Sequence, residues 1–206
     1  MRNRWIVMLL LFPVFGCGIF SPDKKGDPPK PGEKPPPTTP ELLMDNLEQA
    51  MEKRIIEEYE DLLDPNFWFA ERSEIDTLDF GWGKDIERRS VKKIFEIFNT
   101  FTFEFTLGRQ SIELKEEYPA TFPDGSLNED GHPNEDWVVW YGRVQMTMLD
   151  ETGENGFAVD QNMTFKMRRS NDVAKDPQTG EIMKDANGNP LYRWTIIRWV
   201  DDPVLR

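Results

Sequence analysis

The chain is predicted to fold as an α+β domain in which three N-terminal helices pack on a strongly bent antiparallel β-sheet. Three observations carry this. Apolar residues recur at helical spacing over residues 40–98. The period then changes from 3.6 to 2 and stays near 2 to residue 200. Within the first long strand the apolar side jumps by one residue, which requires a bend.

Thr39-Pro40-Glu41 opens the first helix with a hydroxyl N-cap, Pro at N1 and an acid in the first turn. Leu43, Leu47, Ala50 and Met51 share its apolar face until Glu52-Lys53-Arg54 interrupts the pattern. A second short helix carries Ile55, Tyr59, Leu62 and Leu63, and Asp64-Pro65 ends it. Residues 66–70 form a short aromatic strand, and a loop rich in Asp, Gly and Trp runs to Gly83. The third helix covers about 84–98, with Val91, Ile94, Phe95 and Phe98 on one face.

Phe101, Phe103, Phe105 and Leu107 then alternate with polar residues, whereas Ile112 and Leu114 hold the apolar side further on. One extra residue near Gly108-Gln110 keeps both halves facing the core, so this reads as one long, bulged strand. A second strand carries Val138, Trp140, Val144, Met146 and Met148. A turn follows at 151–156, then a third strand with Phe157, Val159, Met163, Phe165 and Met167. A turn-rich insert spans about 171–190, and 191–200 is the last strand. Four strands with one apolar face need a cover, which three amphipathic helices supply.

This order resembles the nuclear transport factor two-like fold, the cone shared with SnoaL-like proteins and ketosteroid isomerase. The resemblance rests on Pro40-Glu41-Leu42-Leu43, on Asn46-Leu47-Glu48-Gln49-Ala50 with Tyr59, and on Leu62-Leu63-Asp64-Pro65-Asn66-Phe67. The closing 194–201 stretch, Trp-Thr-Ile-Ile-Arg-Trp-Val-Asp, is similar to the last strand of lipoprotein members. The resemblance covers about 39–202 and implies a cone-shaped sheet curled around a pocket. A lipocalin-like closed barrel is the rival architecture; three helices before the sheet argue against it.

The N-terminus reads as an address. Arg2 and Arg4 precede an apolar run at 5–15 and then Gly16-Cys17-Gly18, the pattern of a signal peptide. The run is shorter than the roughly 20 residues a membrane-spanning helix needs. Val14-Phe15-Gly16-Cys17 resembles the bacterial lipobox, with Val14 where Leu is usual. That resemblance implies diacylglycerol and palmitate-type acylation of Cys17 and cleavage before it. Residues 1–16 are thus a lipoprotein signal peptide, 17–39 a lipidated cysteine with a disordered Pro-rich tether, and 40–206 the domain. Pro-rich chain extends at roughly 3.1 Å per residue, so 21–39 reaches up to about 60 Å. Pro28-Pro29-Lys30-Pro31 and Pro35-Pro36-Pro37 also have the look of proline-recognition ligands. The expected location is the bacterial cell envelope, with Gly18 favouring the outer membrane by resemblance to the sorting rule of double-membrane bacteria.

The net charge is −13, and cleavage before Cys17 removes Arg2 and Arg4 but no acid. Such a chain is disfavoured as a non-specific binder of nucleic acid or anionic lipid. Fourteen Phe and seven Trp point to a real core. The single Cys excludes an intramolecular disulfide and a cysteine-based zinc site.

Chemistry-bearing residues are sparse. The sole histidine, His132, sits among Gly, Asn and Pro and reads as a solvated loop residue. Asp160 and Asn162 fall on the outward side of their strand; Tyr141 and Tyr192 can face either way. Ser126, Asn128, Asp130 and Gly131 resemble the start of a calcium loop, but Trp137 stands where its closing Glu belongs. No metal and no cofactor are expected. Phe101, Phe103, Phe105, Trp140, Met146, Met148, Met163 and Phe165 are the candidate pocket lining. The expected function is that of a lipid-anchored envelope protein whose domain binds a small hydrophobic ligand or a protein partner without catalysis. The alternatives are an isomerase or dehydratase of the ketosteroid isomerase type, and a structural or assembly role with a homodimer through the sheet.

Overall fold

A computed structural model describes residues 34–71, 80–128 and 131–202. The expected signal peptide, Cys17, Pro28–Pro31 and Asp130 lie outside them. The elements run α1 (Pro40–Lys53), α2 (Ile56–Leu62), β1 (Leu63–Glu71), β2 (Phe80–Gly83), α3 (Lys84–Ile97), β3 (Thr100–Glu113), β4 (Trp137–Leu149), β5 (Gly156–Val173) and β6 (Tyr192–Asp202). The architecture is α+β: three helices on a bent, unclosed sheet of strand order β2-β1-β6-β5-β4-β3.

Thr39 caps α1, its Oγ1 accepting the Leu42 N–H at 3.2 Å. The charged interruption is the helix end: Arg54 turns left-handed, at φ 56°, and its amide returns to the last turn. Its guanidinium then donates to the Phe98 carbonyl at 2.9 Å, tying α1 to the end of α3.

β3 to β6 form an antiparallel meander. The bulge in β3 falls between Leu107 and Arg109, where the sequence requires it. Phe105 therefore pairs across Val144, and Ile112 across Val138, on the same side of the sheet. The short aromatic strand expected at 66–70 is β1, longer at its start, and it lies parallel to β6 with Phe69 beside Trp199. β2 was expected as loop and pairs antiparallel with β1.

The core lies between helices and sheet. Leu43, Leu47, Tyr59, Phe67, Phe95, Phe103, Phe165, Met167 and Ile196 belong to one continuous buried cluster. The tether boundary expected at residue 40 moves towards the N-terminus. Pro35 accepts from Asn46 Nδ2 at 3.1 Å, and Pro37 accepts from the Trp194 N–H at 2.7 Å. The end of the Pro-rich segment is thus a docked strap, held by its prolyl carbonyls and by the buried Pro37 ring.

Candidate functional site

The eight candidate lining residues all lie on the helix-facing side of the sheet. Phe101, Phe103, Trp140, Met148, Met163 and Phe165 are buried in the core cluster, and Phe105 and Met146 pack against it half-buried. Alternation places them there: Phe105 neighbours Val144, and Trp140 neighbours Phe165. The rings form a connected chain. Phe105 lies parallel to Trp140, with centroids 6.0 Å apart, and edge-on to Phe165 at 5.3 Å. Phe165 continues to Trp199 at 4.7 Å. Trp199 meets Phe69, which stacks on Trp82 at 4.3 Å.

Trp199 and Trp82 belong to this chain of rings and were not among the candidates. Trp199 stands in a strand that alternates poorly, because Ile197 bulges where the register shifts between Lys166 and Met167. Gly142 makes room for the aromatic chain: a Cβ there would sit 2.5 Å from the Phe105 ring.

Two polar features touch this side. The indole Nε1–H of Trp140 is buried and meets no acceptor. That is a cost, since an unpaired buried donor is worth roughly 1–3 kcal/mol against the fold. The carboxylate of Glu87 is buried in the first turn of α3. Its Oε1 accepts the Tyr59 O–H at 2.6 Å and its Oε2 the Trp82 Nε1–H at 2.5 Å. Burial first, then the adjacent Glu87 charge, pushes the Tyr59 phenol well above its ordinary 10.0.

The opposite side of the sheet corrects the expectation for His132. Its ring is buried, not solvated, and is sandwiched between Trp137 at 4.0 Å and Tyr118 at 4.6 Å. Its Nδ1–H donates to the Glu135 carbonyl at 2.9 Å, and Nε2 faces Glu113. Glu113 is paired with Lys166 at 3.1 Å, both side chains buried. Beside this cluster, Asp64 receives Arg168 and the Thr195 hydroxyl at 2.9 Å. Residues 114–128 and 131–136 therefore fold back over the sheet and give it a second, partly ionic buried layer.

The remaining expectations resolve simply. Asp160 is on the outward side, exposed and bidentate to Arg143 at 2.5 and 2.6 Å. Arg109 lies over the half-buried Tyr141 ring, and Arg169 over Tyr192. Asn128 of the calcium-like stretch donates instead to the Pro119 carbonyl at 2.9 Å. Among the described residues no group of His, Cys, Asp and Glu is arranged for a metal. Among them, too, no helix is long and apolar enough to cross a membrane.

No known protein-family profile matches the chain, and no curated protein matches it. Solved structures do. A conserved protein from Planctomyces limnophilus aligns with a TM-score of 0.50 at 10% identity, over 78% of this chain and 90% of its own. A putative scytalone dehydratase from Novosphingobium aromaticivorans aligns with a TM-score of 0.50 at 10% identity, over 81% and 91%. A ketosteroid isomerase-like protein from Erwinia carotovora atroseptica gives 0.46 at 11% identity, over 81% and 94%. At such identities the likeness extends to the fold alone, three helices packed on a bent, unclosed sheet.

Proposed function

We propose that this is a lipid-anchored cell-envelope protein whose cone holds a small, largely apolar ligand bearing an oxygen acceptor. The observation that carries the reading is Trp140: a buried indole N–H without an acceptor, set in an aromatic and Met-rich lining. Rings and thioethers adapt to flat or irregular apolar molecules, and one fixed donor orients them. The buried carboxylates support a role without catalysis. Glu87 is held by two donors on its own chain, and Asp64 by Arg168 and Thr195. The isomerase or dehydratase alternative draws on the Tyr59–Glu87 pair, but a carboxylate fixed by two donors is a poor proton acceptor. Cys17, followed by the Pro-rich stretch, supports the anchor.

The test is native mass spectrometry of the full chain from a bacterial host. A co-purified apolar ligand is expected, and Trp140→Phe should weaken its retention about tenfold, the worth of one buried hydrogen bond. Ligand-free chain, or retention unchanged in Trp140→Phe, overturns the reading. The same spectra read the acyl mass on Cys17, which should vanish in Cys17→Ser.

A further inference from the structure

The strap at residues 34–37 carries a second function. Proline fixes its own φ and lacks an N–H, so Lys34-Pro35-Pro36-Pro37 favours a polyproline II helix with free carbonyls. The domain meets it with alternating donors, Asn46 Nδ2 on Pro35 and the Trp194 N–H on Pro37. The Lys34 ammonium lies 2.5 Å from Glu58 Oε2, with only 9% of its side chain exposed. The strap takes the flank of β6 just before β1 begins, since β1 pairs only from Ile196 onward. Donors for the prolyl carbonyls and an acid for the flanking cation match the chemistry of this segment.

The strap does not fill its groove. A cavity of about 520 Å³ remains between it and Leu62, Asp172, Val173 and Arg193. Arg193 lines this cavity, and its buried Nε–H meets no acceptor. We propose that the groove is a recognition site for basic Pro-rich peptides, occupied in cis by residues 34–37 and able to accept a segment of the same chemistry from a partner.

The test uses the full chain in detergent and the probe acetyl-Lys-Pro-Pro-Pro-Thr-Thr-amide. Prolines have no amide to follow, so the readout is hydrogen exchange at the Trp194 amide, with Trp199 as the control for general loosening. Lys34→Glu should speed Trp194 exchange about tenfold, the scale of a partly buried ion pair, and leave Trp199 unchanged. Millimolar probe should then restore slow exchange, and a probe with Ala for Lys should not. Glu58→Gln releases the same strap from the domain side, so it should speed Trp194 exchange without rescue by the probe. If Lys34→Glu also loosens Trp199, Glu58→Gln alone decides release. Unchanged Trp194 exchange in Glu58→Gln, or a probe that restores no protection to the Lys34→Glu chain, overturns the proposal.

Discussion

Arg168 and Asp64 form a fork across the back of the sheet: Nε lies 2.6 Å from one carboxylate oxygen and Nη2 3.1 Å from the other. Asp64 has no solvent exposure, whereas a quarter of the Arg168 side chain is exposed. The pair joins the start of β1 to the far half of β5. Breaking a buried pair leaves a charge without compensation, at about 3–5 kcal/mol. Arg168→Ala should therefore destabilise the domain by about that much, read from urea unfolding. A loss under about 1 kcal/mol would mean that Thr195 and the Asn66 amide suffice for Asp64.

Tyr59 makes a pH prediction. Its phenol is held well above the ordinary 10.0 by burial and by Glu87. The folded state thus keeps a proton that the unfolded chain gives up from about pH 10. Its contribution is intact below pH 10 and is lost as pH rises towards the folded value. The urea midpoint should fall above pH 10, and Tyr59→Phe should flatten that fall. The same variant leaves Glu87 Oε1 without a donor, so it should cost about 1–3 kcal/mol at neutral pH.

Gly142→Ala tests the aromatic packing. The added Cβ would lie 2.5 Å from both the Phe105 ring and the Thr106 carbonyl. The ring can swing, but the backbone carbonyl cannot, so the expected cost is about 1–3 kcal/mol. Near-ultraviolet circular dichroism should change with it, because Phe105 stacks on Trp140. An unchanged spectrum and stability would sink this account of the lining.

The β4–β5 turn supplies a site-specific titration. Thr152 and then Asn155 hold the exposed Asp150 carboxyl down to about 2, from its usual 3.8. The folded value is the lower one, so the turn gains from this group above pH 3.8 and loses that gain as pH falls towards 2. Carboxyl chemical shifts should give a midpoint near 2, moving up in Thr152→Ala. A midpoint of 3.8 in the intact chain would contradict the turn geometry.

Much of this fold was legible because its signals are local. The bulge after Leu107 is written as a change of parity, and the core residues Phe103, Trp140 and Phe165 as alternation. What stayed hidden is long-range. β2 consists of Phe80-Gly81-Trp82-Gly83, and its two glycines conceal a strand defined only by pairing with β1. Nothing local announces that Phe69 will lie beside Trp199. Lys166 sits on the outward side, as its strand position implies, yet it is buried because the stretch with Tyr118 returns over it. The same return buries His132, whose Gly and Pro neighbours ordinarily mark solvated loops. The strap was missed because its attachment runs through main-chain carbonyls, which composition does not record.

The two ends of the strand order differ in a way that bears on crowding. β2, at one end, is four residues long and offers little backbone for another strand to copy. β3, at the other, is long, but its ladder is broken by the bulge after Leu107 and flanked by exposed Glu104 and Arg109. A long flat margin would template chain-to-chain pairing, and these margins are respectively too short and too kinked to do so. The molecule can therefore be packed densely side by side without its sheets fusing.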